Sequence, residues 1–486
     1  MTTDLVTYGM FVDGRFTDTT GDEEVIVVNP ATEDVIGRVG RASIPDLDCA
    51  VSAARVAFDE GSWPRLSPAE RSRALLRLAD ALADRIDDLI ELNVAEAGAT
   101  RDLAGSGQTR TPLGFFRQWA ERAATFPFVE ALPPIHNERL GQGVIHKEPV
   151  GVVAAITGFN FPVLLDLFKL GPALATGNTV VLKPSPYTPL EAFFIAEAVA
   201  ASDLPPGTVN VLVGGDDVAR ALTEHPAVDM VTFTGSDTVG RAIMGQAAPT
   251  LKRVLLELGG KSPNMIFPDA DLAAASALAA NAFVRHSGQG CGTPTRVLVH
   301  ESVHDQVVDA MLRHLQDVRV GDPADGATTM GPLIREVQRA RVERYVRSGI
   351  EEGATVAFGG GRPAFDRGFY VEPTLFTNAK NSMQIAQDEI FGPVAAVIPF
   401  SSDDEAVQIA NDSRYGLCAW VWAGDVKKAY AIAQRLRVGT VNVNGTIGLS
   451  MNGTFGGYKQ SGIGRELSDH GLHEYVELKT VYWPVG

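Results

Sequence analysis

Cysteine is scarce in this 486-residue chain, which has only Cys49, Cys291 and Cys418. Three thiols give no disulfide framework and point to a reducing compartment, the cytoplasm. A basic excess is also missing: 59 acidic residues against 42 basic ones leave a net charge of −17. Nucleic acids and anionic membranes reward a basic face, so neither is expected as a partner. No long apolar run occurs. One long uncharged stretch, 149–165, contains Asn160 and Pro162 and ends at Asp166, which suits a buried strand and turn rather than a membrane span. The opening Met1-Thr2-Thr3-Asp4-Leu5 has neither the basic nor the apolar region of a secretory signal. Repeats, low-complexity stretches and a G-x-G-x-x-G fingerprint are absent, and no metal is expected. The remaining composition, 45% hydrophobic and 21% charged, is that of an ordinary globular protein. At this length two or three domains are expected.

What the chain does have is an alternation of short Val/Ile-rich runs with helical patterns. Strands are predicted at 151–156, 179–182, 208–213, 230–233 and 253–257, with helices at 162–175, 190–201, 218–224 and 238–247 between them. This spacing specifies a parallel, doubly wound sheet whose ligands bind at the carboxyl ends of its strands. A second alternation follows. A helix at 272–286, with Asp271 as N-cap and Gly288 as C-cap, delivers Cys291 to a loop. Strands at 296–300, 394–399, 417–422 and 440–444 flank helices at 403–411 and 426–436. Nearer the N-terminus, Ser67-Pro68-Ala69-Glu70 reads as a capping box with proline at the first helical position. Leu75, Leu78, Leu82 and Ile86 form the apolar face of that helix.

Chemistry concentrates around one thiol. Cys291 lies in Ser287-Gly288-Gln289-Gly290-Cys291-Gly292-Thr293, and a cysteine that only fills a core has no need of such glycines. Glycines beside a thiol leave room for a substrate carbon to reach sulfur, and for backbone N–H groups to face an oxyanion. Upstream, Glu257 stands before a Gly-Gly turn in Leu256-Glu257-Leu258-Gly259-Gly260-Lys261. Thiol and carboxylate together equip a chain for nucleophilic attack followed by hydrolysis. Asn160, just past a predicted strand end, can donate its amide to the oxyanion; taken alone it reads equally as a turn residue.

Seven motifs in order give the chain a family resemblance. They are Thr157-Gly158-Phe159-Asn160-Phe161-Pro162, Leu182-Lys183-Pro184-Ser185-Pro186, Phe233-Thr234-Gly235-Ser236, Leu256-Glu257-Leu258-Gly259-Gly260-Lys261, Gly288-Gln289-Gly290-Cys291, Glu389-Ile390-Phe391-Gly392-Pro393 and Phe455-Gly456-Gly457-Tyr458-Lys459-Gln460-Ser461-Gly462. With these, nearly the whole chain resembles the aldehyde dehydrogenase superfamily. The resemblance implies an α/β fold of two doubly wound Rossmann-like domains, cofactor-binding and catalytic, plus a small β oligomerisation arm. The boundaries it implies are 1–126 and 148–257 for the cofactor domain, 258–465 for the catalytic domain, and 127–147 with 466–486 for the arm. There the segment 130–149 pairs with a C-terminal strand near 478–483, and the assembly is a homodimer or homotetramer.

The activity implied is NAD(P)-dependent oxidation of an aldehyde to a carboxylic acid. Cys291 is the nucleophile, Asn160 and the Cys291 N–H the oxyanion donors, and Glu257 the base that activates water on the thioester. The thiol is deprotonated either by Glu257 through water or by helix and backbone dipoles. Lys169 matches a lysine implicated in proton relay, and reads equally as a helix-face lysine. For the cofactor, Ser236 and its helix N-terminus suit the pyrophosphate, Lys183 the adenosine ribose, and Glu389 with Phe391 the nicotinamide ribose. Ile156, Thr157, Ser185, Pro186, Gly214, Phe233, Thr234, Gly235, Val239, Leu258, Gly259 and Gln338 complete that site. Phe161, Leu165, Phe168, Gly290, Gly292 and Phe455 outline a roomy, largely apolar substrate pocket, suited to aromatic or long aliphatic aldehydes.

The chain departs from the family pattern twice. Many NAD-preferring relatives carry Glu three residues after the lysine, where Pro186 stands here. Proline offers a ribose no acceptor and a 2′-phosphate no repulsion, so NADP is expected to be accepted beside a preferred NAD. Pro-Trp, frequent before the Asn, is replaced by Gly158-Phe159. Two rival readings remain: a coenzyme A-acylating semialdehyde dehydrogenase, whose relatives often lack Glu257, and a non-catalytic protein of the same fold, which would have lost Asn160, Glu257 or Cys291.

Overall fold

The computed structural model describes residues 5–136, 139–445 and 448–485. Two large sheets organise it. The first runs Gly462–Ile463, Arg253–Glu257, Met230–Thr234, Val152–Ile156, Thr179–Lys183, Val209–Val211, Met10–Val12, Arg15–Thr17. Its five strands from Arg253–Glu257 to Val209–Val211 are parallel. The winding starts at Val152–Ile156, moves out through Thr179–Lys183 and Val209–Val211, then returns to the other side with Met230–Thr234. That reversal opens a crevice at the carboxyl ends. Every residue of Val152–Ile156, Thr179–Lys183 and Met230–Thr234 is buried, because helices cover both faces. Leu167, Leu174 and Phe193 pack on one face with Val153 and Val180; Leu47, Leu222 and Ile243 pack on the other with Ala154 and Val181.

The second sheet runs Thr355–Phe358, Thr374–Thr377, Val394–Phe400, Arg296–His300, Pro263–Ile266, Cys418–Trp422, Thr440–Val443, all parallel except the antiparallel edge Thr355–Phe358. Together these are the two doubly wound units expected. A smaller sheet pairs Leu140–Pro149 with Val476–Pro484, from Val476 opposite Pro149 to Pro484 opposite Gly141, and adds Val129–Ala131. The anticipated pairing of 130–149 with the C-terminal strand is therefore present.

The predicted bounds match at Pro162–Ala175, Arg253–Glu257, Arg296–His300 and Asp403–Asn411. The capping box holds: Ser67 Oγ accepts the Glu70 N–H at 3.3 Å, and Glu70 Oε2 accepts the Ser67 N–H at 2.8 Å. Leu75, Leu78 and Leu82 are buried as expected, but Ile86 starts a new helix, Ile86–Ala97, after the first ends at Asp84. One division differs more. Residues 462–463, expected in the second unit, pair with Leu256 and Glu257 as an edge of the first sheet. Met451, Leu467 and Leu472 join that unit's core as well. Burial of these side chains draws the segment back before the arm begins. Among the described residues, no helix is long and apolar enough to cross a membrane.

Candidate active site

The carboxyl ends of the first sheet meet the amino ends of the second. Register aligns Lys183, Ile156, Phe233 and Leu256 across four neighbouring strands. Their continuations, together with the loops that precede Pro263–Ile266, Arg296–His300 and Val394–Phe400, form one seam.

The cysteine loop is built by strain and close contact. Asp271 caps its helix, accepting the Ala274 N–H at 3.1 Å, yet the helix ends at Val284 rather than 286. His286, Ser287 and Gly288 follow with φ of 50°, 53° and 70°, a run only tolerated where neighbours enforce it. The Ser287 hydroxyl donates to the Gly331 carbonyl at 2.6 Å, and Gln289 Oε1 accepts the Ile334 N–H at 2.9 Å. At Gly288 a Cβ would also lie 2.1 Å from the Gly392 carbonyl oxygen. Gly290 and Gly292, expected to leave room for substrate, face Thr293 Oγ1 and Cys418 Sγ, which a Cβ would meet at 2.6 and 3.3 Å. A side chain at either position would crowd these neighbours.

Cys291 is partly buried. Burial pushes its thiol well above the ordinary range, with Glu389, Cys418 and Glu257 adding to the effect; the Gly292 N–H alone works against it. Asn160 is buried and donates from Nδ2 to the Gln289 carbonyl at 2.8 Å, while its own carbonyl accepts from Gln108 Nε2 at 2.8 Å. A primary amide has two N–H groups, so one remains for an oxyanion.

Glu257 is the last residue of its strand, buried, and among the described residues neither carboxyl oxygen has a hydrogen-bond partner. Gly456 makes this possible, since a Cβ there would lie 2.7 Å from Glu257 Oε1. Burial raises the Glu257 carboxyl well above the carboxylate range, Glu466 raises it further, and Lys169 opposes both. Lys169 is fully buried and donates to Glu466 Oε1 at 2.8 Å. It is not a solvated helix-face lysine.

At the crevice, Ser236 caps helix Asp237–Ala247, its Oγ accepting the Val239 N–H at 3.3 Å. Beside it the Thr234 hydroxyl is buried without a hydrogen-bond partner among the described residues. A helix N-terminus next to an orphaned donor fits a dinucleotide pyrophosphate. Ser185 Oγ accepts the Tyr187 N–H at 3.2 Å, Gly214 is buried against Val218, and Val239 is exposed. Lys183 is buried, and that burial draws its ammonium down to about 8. Glu389 Oε1 accepts the Gly260 N–H at 3.0 Å, and Oε2 lies where a Gly259 Cβ would be, 2.3 Å away; burial raises this carboxyl to about 7. Phe391 adopts φ 60° and meets Phe159 edge to face at 5.7 Å. Gln338, expected at the cofactor, spends its amide on the Ile390 and Phe391 carbonyls at 3.1 and 2.6 Å. These bonds hold the Glu389 loop.

The profile of the aldehyde dehydrogenase family matches residues 16–481. The chain belongs to that family. A betaine aldehyde dehydrogenase of Bacillus subtilis is 37% identical over 97% of this chain and 96% of its own. A geranial dehydrogenase of Castellaniella defragrans is 40% identical over 97% and 98%. The structure of a Mycobacterium tuberculosis aldehyde dehydrogenase complexed with NAD+ superposes with a TM-score of 0.96, at 41% identity, covering 99% of both chains.

Of the apolar residues assigned to the aldehyde dehydrogenase pocket, Leu165 and Phe168 are buried, Phe168 against the Phe115 ring at 5.7 Å. Phe161 and Phe455 keep partial exposure. Four residues at the seam were not singled out in the sequence: Glu466, Cys418, Gln108 and Arg341, which donates to the Glu389 carbonyl at 2.6 Å. None stands in a pattern that signals chemistry; each is recognised only by what it touches.

Proposed function

We propose that this chain oxidises an aldehyde to the carboxylic acid with NAD, using Cys291 as nucleophile and Glu257 as base. The observation that carries the reading is the convergence of Asn160, Glu257 and Cys291, from three separate segments, at one seam. Burial raises the thiol, so a base is needed to take its proton, and Glu257 is a nearby carboxylate that has no hydrogen bond among the described residues. Sulfur then bonds to the carbonyl carbon, while the second Asn160 N–H and the Cys291 N–H hold the oxyanion. Bound NAD supplies the acceptor for the hydride that leaves this carbon. Ser236 with its helix N-terminus holds the pyrophosphate, Lys183 the adenosine ribose and Glu389 the nicotinamide ribose. Once that first proton has left through the Glu466–Lys169 pair, Glu257 takes a proton from water as the water oxygen attacks the thioester carbon; the C–S bond breaks and the acid leaves. Glu466 and Lys169, the buried pair beside Glu257, tune and relay its proton.

The product distinguishes this from acyl transfer. Equal yields of NADH and free acid, unaffected by coenzyme A, are expected; accumulation of acyl-coenzyme A would replace the hydrolytic reading. Phe161 and Phe455 favour an apolar aldehyde, and steady-state rates across an aldehyde panel test this. The arm, with Leu478, Tyr482 and Trp483 exposed, is the assembly surface for a homodimer or homotetramer, checked by light scattering. A reactive free thiol suits a reducing cytoplasm.

A further inference from the structure

In the first sheet Val209–Val211 lies directly beside Thr179–Lys183, with Val211 opposite Leu182. Lys183 and the segment after Val211 therefore leave the sheet side by side. That segment turns through Gly214-Gly215 into helix Asp216–Glu224, with Gly215 as N-cap. Its position is pinned twice. The Ala42 N–H donates to the Val213 carbonyl at 2.7 Å, and Arg41 Nη2 donates to both Asp217 carboxylate oxygens at 2.8 and 2.9 Å. Asp217 is thus committed. Its neighbour Asp216 is exposed, and among the described residues its carboxylate has no hydrogen-bond or ion-pair partner. Both carboxylates act on the Lys183 ammonium, opposing the downward pull of burial.

We propose that Asp216 selects NAD over NADP, its carboxylate accepting hydrogen bonds from the adenosine ribose hydroxyls beside Lys183 and repelling a 2′-phosphate there. The inference rests on the NAD reading above. An acid at the start of the helix that follows one strand, facing a ribose held at the end of the next strand, performs the discrimination seen in dinucleotide folds generally. It supplies from strand Val209–Val211 the charge that Pro186 does not supply after strand Thr179–Lys183.

The test is titration of the full-length protein with NADH and NADPH, followed by nicotinamide fluorescence, with NAD and NADP kcat/KM measured alongside. Wild type should bind NADH at least roughly tenfold more tightly than NADPH, the scale of one unscreened charge pair in a partly wet crevice. Asp216→Asn should tighten NADPH by roughly tenfold and change NADH only a few-fold. Adding Pro186→Glu to Asp216→Asn should restore the preference, since the carboxylate then returns from the neighbouring strand. NADPH affinity unchanged in Asp216→Asn would overturn the assignment, as would a wild type that binds both dinucleotides equally. A wild type that binds neither would overturn the NAD reading itself.

Discussion

Asn160 donates its side-chain N–H to the carbonyl of Gln289, 2.8 Å away and 129 residues along the chain. The bond ties the proposed oxyanion donor to the loop that carries Cys291. Replacing Asn160 with Ala removes both the donor and the tether, and should lower kcat by roughly 10²–10³ while NADH still binds. An unchanged kcat would remove Asn160 from the mechanism.

Cys291→Ala should abolish aldehyde oxidation while leaving NADH affinity within a few-fold of wild type, because the thiol attacks the aldehyde and holds no part of the dinucleotide. Near-normal turnover in this variant would exclude Cys291 as nucleophile.

With Glu257→Gln, any thiol that does react has no base to release the acid. NADH release should therefore be slow as well, because the thiol also loses its base; a fast, full burst with acylated Cys291 in the intact mass would confine Glu257 to the later hydrolysis. Because burial raises the Glu257 carboxyl, its basic form grows as pH rises. Wild-type turnover should therefore climb with pH well above the usual carboxylate range, and a profile already flat there would contradict the raised carboxyl.

Lys169→Met leaves Glu466 buried without its partner. A lone buried charge of this kind costs about 3–5 kcal/mol, read as a lower denaturation midpoint. Adding Glu466→Gln should recover part of that loss. Full stability of Lys169→Met would mean the pair is not buried as described.

Burial holds the carboxyls of Glu96 and Asp166 at about 8 and about 7, against about 4 in an unfolded chain. Between those limits the folded chain binds more protons than the unfolded one, so the stability these groups contribute falls as pH rises. Complete below about pH 4, it is lost as pH passes through 7 to 8. The unfolding midpoint should drop across neutral pH, and Glu96→Gln should flatten that slope. A midpoint rising over this range would contradict it.

Much of this was legible along the chain. The near-continuous apolar runs at Val152–Ile156 and Met230–Thr234 announce strands covered on both faces, and Ser67 with Glu70 announces a helix start. Less legible were residues whose neighbours come from afar. Gln338 reads as a cofactor residue by its motif position, yet its amide faces two carbonyls of the Glu389 loop. Gly290 and Gly292 read as space for substrate, but Thr293 and Cys418 lie where their side chains would be. Nor does any local pattern show that the helix beginning at Asp216 follows the strand beside Lys183.

By itself the sequence determined the strand and helix alternation, the capped helix starts and the order of the motif residues, because apolar periodicity and capping act within a few residues of each other. Only the tertiary structure decided that Lys169 faces Glu466, that Glu257 stands unpaired against Gly456, and that Asp216 stands by Lys183. Proton affinity and partner choice depend on which distant segments exclude water from the same small volume, and no local pattern encodes that.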